Sequence, residues 1–274
     1  MTRRVLCALL VVCGASLLSA FAATDTNSGQ WLIDFQNDGQ IQLTLHQEHH
    51  EHSFPVPAES FHGLARNATH FEFVRDAGTF ACDGRFAGDH GAGIFVFAPN
   101  PQYIAGMKSL GYTIEPDRLM ELAAFDISRT FVHDLESLGY HGLSLDDLLK
   151  FRIHGVSIAY IRDFQNAGYR SLSAEDLVHM RIHGVGIEFV HALEAYGYHR
   201  VPVEDLIHMR IHGVSAEFIR DLKAEGYSGI PVEELIRMQI HGVTPEMVKK
   251  VQNAGFAHPT TDQLVQMRIH GLLD

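Results

Sequence analysis

The chain is poor in cysteine, in positive charge and in long apolar runs. It contains three cysteines in 274 residues, and 21 basic side chains stand against 33 acidic ones, which gives a formal charge of −12. An acidic chain lacks the basic footprint that phosphate backbones require, so we expect no nucleic-acid partner. A hydrophobic content of 46% still allows one large domain or two modest ones to bury a core.

The one long apolar run lies at the N-terminus. Two arginines precede a nearly all-apolar stretch from Val5 to Leu18, and a small-x-small cleavage site follows at residues 20–22. This pattern predicts a secretory signal peptide over residues 1–23. The run is short for a membrane anchor, and Cys13 lacks the small preceding residue of a lipoprotein signal. We therefore expect an exported protein with no stable membrane span after signal cleavage.

Cleavage would leave a single cysteine, Cys82, and would lower the formal charge from −12 to −14 because two arginines are lost. One cysteine excludes an intramolecular disulfide, so the fold must depend on its core. Cys82 lies in a strand-like run without a partner motif, which favours a buried structural residue over a reactive thiol.

Residues 30–98 have the pattern of a small sheet. The segments 41–45 and 71–75 alternate apolar and polar side chains with a period of two, as half-buried strands do. Asp83-Gly84 is a hairpin turn signal. We predict five or six short strands in a small antiparallel β-sheet domain.

Residues 100–274 repeat with a period of 29. The tripeptide Ile-His-Gly recurs five times, and a Gly-Tyr or Gly-Phe pair lies before each copy. A sixth, degenerate unit comes first, with Phe125-Asp126 in place of His-Gly. A period of this length is typical of stacked repeats.

Each unit is predicted to hold two short helices. The first begins at a residue that can cap it, and the second begins with capping-box spacing or at a proline. The starting residues are Ser128, Ser157, Gly186, Ser215 and Thr244 for the first helix, and Ser144, Ser173, Pro202, Pro231 and Thr260 for the second. Short helix pairs bury their apolar faces only by stacking. The predicted fold is therefore α+β, a small N-terminal antiparallel β-sheet domain followed by an α-solenoid of helix-pair repeats, with the degenerate unit against the sheet.

The unit at residues 212–227, His-Gly-Val-Ser-Ala-Glu-Phe-Ile-Arg-Asp-Leu-Lys-Ala-Glu-Gly-Tyr, resembles repeats of exported bacterial proteins. Such repeats also follow the membrane domain of BlaR-type metallopeptidases, which sense β-lactams. Residues 71–80 and 91–101 resemble the β segment that precedes those repeats. The peptidase part is missing, and His50-Glu51-His52-Ser53-Phe54 has Phe where a His-Glu-x-x-His motif needs its second histidine. The resemblance therefore implies the repeat type and no catalytic residue.

The repeated histidine and glycine are interpreted as helix-ending residues, with the imidazole donating to free carbonyl groups. These repeat-structural residues are His154, Gly155, His183, Gly184, His212, Gly213, His241, Gly242, His270 and Gly271. The alternative is a metal site that uses i, i+4 histidine pairs of the second helices, His179 with His183 and His208 with His212. The positions equivalent to His179 and His208 are Lys150, Arg237 and Gln266 in the other units, which are poor ligands.

A denser histidine cluster lies in the β region. His46, His49, His50 and His52 are interleaved with Glu48 and Glu51. If the preceding strand continued, His46, Glu48, His50 and His52 would share one face and could bind zinc or copper. The alternative, which we favour, is a solvated polar loop.

Charged residues also recur at 29-residue steps. An arginine column and an acid column are predicted to form an inter-repeat ladder of ion pairs, or else a charged groove for a peptide or anion. The arginine column is Arg152, Arg181, Arg210 and Arg268, and the acid column is Asp147, Asp176, Asp205, Glu234 and Asp262.

The sequence contains no Gly-x-Ser-x-Gly, P-loop or Cys-x-x-Cys motif, so we expect no enzyme and no cofactor. The predicted function is noncatalytic binding of a protein or peptide partner on the solenoid surface. The alternative is an envelope sensory or metal-binding module that uses the His46–His52 cluster. Because the chain has 19 histidines, we also expect acid to weaken the repeat array.

Overall fold

The computed structural model describes residues 27–36, 39–47 and 50–272. A seven-stranded antiparallel sheet precedes a stack of short helices, so the predicted α+β class with an N-terminal sheet is confirmed. The predicted signal peptide, residues 1–23, lies outside the described residues. Within the described ranges, no helix has both the length and the apolar character needed to cross a membrane.

The sheet has the order β3-β2-β1-β7-β6-β5-β4, and every pairing is antiparallel. Seven strands replace the five or six that the sequence predicted, because the histidine-rich segment forms a strand. The strands are β1 (Ser28–Phe35), β2 (Ile41–Gln47), β3 (His50–Val56), β4 (Phe61–His62), β5 (His70–Arg75), β6 (Gly78–Ala87) and β7 (His90–Pro99).

One face of the sheet curls around an aromatic core. Trp31 is fully buried, and its indole N–H donates to the carbonyl of Ile94 at 3.1 Å. Gly84 and Gly93 are opposite each other on β6 and β7, where a Cβ on either residue would collide with the facing backbone. Cys82 is buried in this core, as predicted, and burial raises the pKa of its thiol to about 12. The thiol is therefore a packing group.

Twelve short helices follow within the described part of the chain, nearly all of them nine residues long. They are α1 (Pro101–Ser109), α2 (Leu119–Ala124), α3 (Arg129–Ser137), α4 (Leu145–Ile153), α5 (Ile158–Asn166), α6 (Ala174–Ile182), α7 (Ile187–Glu194), α8 (Val203–Ile211), α9 (Ala216–Ala224), α10 (Val232–Ile240), α11 (Pro245–Asn253) and α12 (Thr261–Ile269). From α1 to α11 the odd-numbered helices pack on one another and form the first layer. From α4 to α12 the even-numbered helices form the second layer, and α2 packs on β6 and β7.

The predicted helix starts are confirmed. In most first-layer helices, the side-chain hydroxyl of the N-cap residue accepts a hydrogen bond from the backbone N–H three residues later. In the second layer, complete capping boxes begin at Ser144, Ser173 and Thr260. Each hydroxyl cap stabilises its helix by about 1 kcal/mol. Gly186, Pro202 and Pro231 begin their helices without a side-chain cap.

Tyrosine hydroxyls connect successive units. Each of these four tyrosines belongs to the Gly-Tyr pair that ends a first-layer helix. Its hydroxyl donates to a carbonyl 32 residues further on, just before the second-layer helix of the following unit. The donor–acceptor pairs are Tyr140 with Leu172, Tyr169 with Val201, Tyr198 with Ile230 and Tyr227 with Pro259. Each hydroxyl therefore satisfies a partly buried backbone carbonyl of the neighbouring unit.

The sheet and the helices meet at the turn between β5 and β6. The carboxylate of Asp76 accepts the backbone N–H of Arg129 at 2.8 Å and its guanidinium at 2.6 Å. Hydrogen bonds from Arg129 hold the pKa of this carboxyl below its ordinary value. Asn100, the N-cap of α1, donates its side-chain amide to the carbonyl of Asp76 at 2.9 Å. One turn of the sheet therefore fixes the starts of α1 and α3.

The tyrosine contact gives a stability prediction. Tyr198→Phe removes the 2.7 Å hydrogen bond to Ile230 and leaves a buried carbonyl unpaired, so we expect the free energy of unfolding to fall by about 1–2 kcal/mol in urea titrations. Tyr196→Phe is the matched control, because its hydroxyl bonds to no other described residue. Equal losses for the two variants would contradict the assignment.

Candidate binding surface

Each Ile-His-Gly tripeptide ends a second-layer helix in the same way. The isoleucine is the last helical residue, the histidine is the C-cap, and the glycine has a φ between +65° and +75°. In the first complete unit, the N–H of Val156 donates to the carbonyl of Phe151 at 2.7 Å, and the N–H of Gly155 donates to that of Arg152 at 3.2 Å. This is a Schellman motif, which requires a left-handed residue after the cap. The motif explains the glycine fully.

The histidine contributes its backbone to this cap. The main-chain N–H of His154 donates to the carbonyl of Lys150 at 3.0 Å. Among the described residues, no side-chain hydrogen bond is made by His154, His183, His212 or His241. The predicted donation from the imidazole to free carbonyls is therefore wrong for these four units. Backbone N–H groups satisfy the helix end in each of them, and Arg181 adds a further donor to the carbonyl of His154.

The arginine column reaches backwards to the preceding unit. Arg181 donates from Nε to the carbonyl of His154 at 3.2 Å, and its guanidinium lies 5.0 Å from the centre of the Tyr160 ring. Arg152 donates to the carbonyl and the carboxylate of Asp126, which takes the left-handed position of the glycine in the degenerate unit. A positive charge at a helix C-terminus complements the helix dipole.

The predicted ladder of ion pairs between the arginine and acid columns is wrong. Asp147 and Asp176 complete capping boxes with serines at their own helix starts. Glu234 and Asp262 both pair with Arg237, which does not belong to the arginine column. The acid column therefore belongs to helix starts and the arginine column to helix ends.

A row of isoleucines crosses the second layer. The five isoleucines of the repeated tripeptide, Ile153, Ile182, Ile211, Ile240 and Ile269, are each between 50 and 54% exposed. On each helix the residues three and seven positions earlier share this exposed side, as helical spacing requires. We call this surface the isoleucine face. Its middle row is Lys150, His179, His208, Arg237 and Gln266, and its acid row is Asp146, Glu175, Glu204, Glu233 and Asp262.

The histidine cluster of the sheet is divided between two paired strands. The strand does not continue past Gln47: β3 begins at His50 and pairs back on β2, with His46 opposite Glu51 and Leu45 opposite His52. Because directly paired residues share a face, His46 and His52 lie on opposite faces of the sheet. The predicted shared face is thus wrong, and so is the polar loop.

Metal binding by this cluster stays a prediction. His49 and the side chain of His50 lie outside the described part of the structure. The ring of His52 packs edge-on against Phe125 at 5.1 Å between ring centres. Over residues 27–36, 39–47 and 50–272, no group of three histidine, cysteine or acidic side chains is arranged to hold a metal ion.

Histidine–carboxylate pairs recur across the sheet. Four histidines are directly opposite an acid on the neighbouring strand, and each comes within ion-pair distance of it: His46 with Glu51, His62 with Glu72, His70 with Asp83 and His90 with Asp34. The hydrogen bond that the His90 ring donates to the carboxylate of Asp34 raises the pKa of His90 above its ordinary value. Protonation therefore strengthens at least this cross-strand contact.

A cleft of about 820 Å³ lies between the β2–β3 hairpin and the start of α2. Leu45, Phe95 and Leu119 are among its apolar lining residues, and Glu115 and Asp117 are among its polar ones. Its volume falls within the range of small-molecule pockets, about 300–1,000 Å³.

Comparison with known protein families found no match, and comparison with curated proteins found none either.

The backward-reaching arginine can be tested by mutation. Arg181→Met removes a charged hydrogen bond and a cation–π contact, so we expect it to lower the free energy of unfolding by about 1 kcal/mol. Arg162→Met on α5 is the control, since that exposed side chain has no described partner and its loss changes the charge equally. The free energies of unfolding of both variants are measured by urea titration. Indistinguishable unfolding midpoints would argue against the contact between Arg181 and the preceding unit.

The sheet histidines predict the pH dependence. Because the folded-state pKa of His90 is raised, its contribution to stability is fully present below the unfolded pKa of about 6.5 and is lost as pH rises through the folded value. We expect His90→Gln to lower the melting temperature more at pH 5.5 than at pH 8.5. His133→Gln, on the exposed side of α3, is the control. A loss for His90→Gln that grows with pH would contradict the sign.

Proposed function

We propose that the protein is a noncatalytic binding module that holds a protein or peptide partner on the isoleucine face. The observation that supports this is the row of five half-exposed isoleucines, one on each second-layer helix from α4 to α12. Single exposed apolar residues are common on protein surfaces, whereas aligned apolar patches usually serve contacts.

Burial of the isoleucine row by a partner would contribute favourable binding free energy. Burying the exposed half of one isoleucine side chain contributes about 1 kcal/mol, so a partner that covers all five gains about 5 kcal/mol before the costs of association. That amount favours binding but does not by itself give high affinity. The rows beside the isoleucines must therefore contribute to recognition.

Three buried groups with raised pKa values support a noncatalytic role. Burial raises the pKa of Tyr103 and of Tyr160, and the hydroxyl of Tyr160 donates to the carbonyl of Val185 at 2.7 Å in the core. Burial likewise accounts for the raised pKa of Cys82. Shifted groups at catalytic sites lie in accessible clefts, whereas these three pack inside the fold.

The proposal includes export to the bacterial envelope. It depends on the signal pattern over residues 1–23 and on the resemblance of residues 212–227 to repeats of exported bacterial proteins. A module that binds a partner in the periplasm agrees with both.

The test removes the apolar row. Ile182→Ser, Ile211→Ser and Ile240→Ser combined should abolish about 3 kcal/mol of contact, which corresponds to a weakening of about 100-fold. The matched control is Leu32→Ser, Ile94→Ser and Val96→Ser, which changes three half-exposed apolar residues of the sheet. Partners are captured from an envelope extract, purified, and their dissociation constants measured against the wild-type chain and both variants.

A partner that binds the wild type and the sheet variant but loses about 100-fold in affinity for the isoleucine variant supports the function. Equal affinity for all three proteins, or no partner captured by the wild type, contradicts it. Circular dichroism of each variant checks that the helices remain folded.

A further inference from the structure

The acid row of the isoleucine face is unneutralised at its centre. Glu175, Glu204 and Glu233 are exposed, and none of their carboxylates forms an ion pair with another described residue. At the two ends of the row the acids are paired, Asp146 with Arg118 and Asp262 with Arg237. Three free negative charges therefore lie in line on α6, α8 and α10.

The middle-row residues, which lie between the acids and the isoleucines, do not neutralise the negative charge of these three glutamates. On α6 and α8 the middle row holds His179 and His208 in place of a lysine or arginine, and Arg237 on α10 pairs with Glu234 and Asp262. An electrostatically complementary partner must bring positive charge to the acid row. Each acid precedes its isoleucine by seven residues, which separates the two rows by about 10 Å along the helices.

The spacing of the rows limits the conformation of the partner. Stacked helices lie about 8–10 Å apart, so both rows repeat at this interval along the solenoid. A polyproline II chain advances about 9.3 Å in three residues and returns every third side chain to the same side. An α-helix repeats at about 5.4 Å, and a β-strand returns to one side after about 6.6 Å. Only the polyproline II repeat falls within the interval.

We propose that the partner segment is a cationic chain in polyproline II conformation, with an apolar residue at every third position. The apolar side chains lie on the isoleucine row, basic side chains lie on the acid row, and the third position faces solvent. A polyproline II backbone makes no internal hydrogen bonds, so its carbonyls can accept from the middle row, including His179, His208 and Gln266. This inference rests on the proposed function and specifies the chemistry of its partner.

The probe is a fluorescent peptide of five Leu-Lys-Pro triplets, whose extended length of about 46 Å spans the five second-layer helices. Comparison peptides are a shuffled sequence of the same composition and five Leu-Glu-Pro triplets. Binding is followed by fluorescence anisotropy at about 50 mM and about 500 mM salt. We expect the wild-type chain to bind the periodic basic peptide at least about tenfold more tightly than either comparison peptide.

Two variants with equal charge separate specific from general attraction. Glu175→Gln, Glu204→Gln and Glu233→Gln combined should weaken peptide binding at least about tenfold and flatten its salt dependence. Asp163→Asn, Glu188→Gln and Glu246→Gln change three exposed acids of the first layer, and this control should bind as the wild type does. The isoleucine variant should also weaken binding.

If the shuffled peptide bound as tightly as the periodic basic peptide, the proposed placement of an apolar residue at every third position would be wrong. Equal weakening by the two charge variants would overturn the acid row as the cation site. If the peptide fails to bind while a captured partner still depends on the isoleucines, this inference is wrong and the proposed function stands. If partner binding is indifferent to the isoleucines, the proposed function fails as well.

Discussion

A left-handed residue follows the helix ends, glycine everywhere except Asp126 after α2, and it sets the geometry on which the array depends. In both layers a left-handed glycine follows the C-cap, and the next residue, such as Val156 or Tyr140, donates its N–H back into the last turn. Val156 is 1% exposed, so the cap also buries an apolar side chain. Helices that end at a fixed place present equivalent residues at equivalent heights. The rows of tyrosines, arginines and isoleucines follow from that alignment.

Local chemistry was readable in the sequence because its causes lie within a few residues. Ser144 and Ser173 predicted capping boxes three residues ahead, and the 29-residue step predicted stacked helix pairs. The long-range contacts were not readable. The acceptor of Tyr198 is 32 residues away, and the acceptor of Arg181 is a backbone carbonyl, which has no sequence signature.

The histidine-rich hairpin shows why polarity misled the strand prediction. Glu51 is exposed and His52 is half-buried against Phe125, so β3 alternates as a strand at the edge of the sheet should. Its polar side chains suggested a loop because an edge strand with one solvated face needs few apolar residues. Pairing with β2, rather than composition, decides its structure.

Isoleucine occurs in all five copies of the tripeptide, although the helix end does not require it. Glycine is required by its positive φ, and the residue after it is required by the buried cap. Isoleucine is the last helical residue and half-exposed, where a polar side chain would satisfy the helix equally well. Three residues earlier the chain places lysine, histidine, arginine or glutamine without loss of the motif. Folding does not require isoleucine at this position, yet all five units have it there. This repetition favours a role for the isoleucine at the surface.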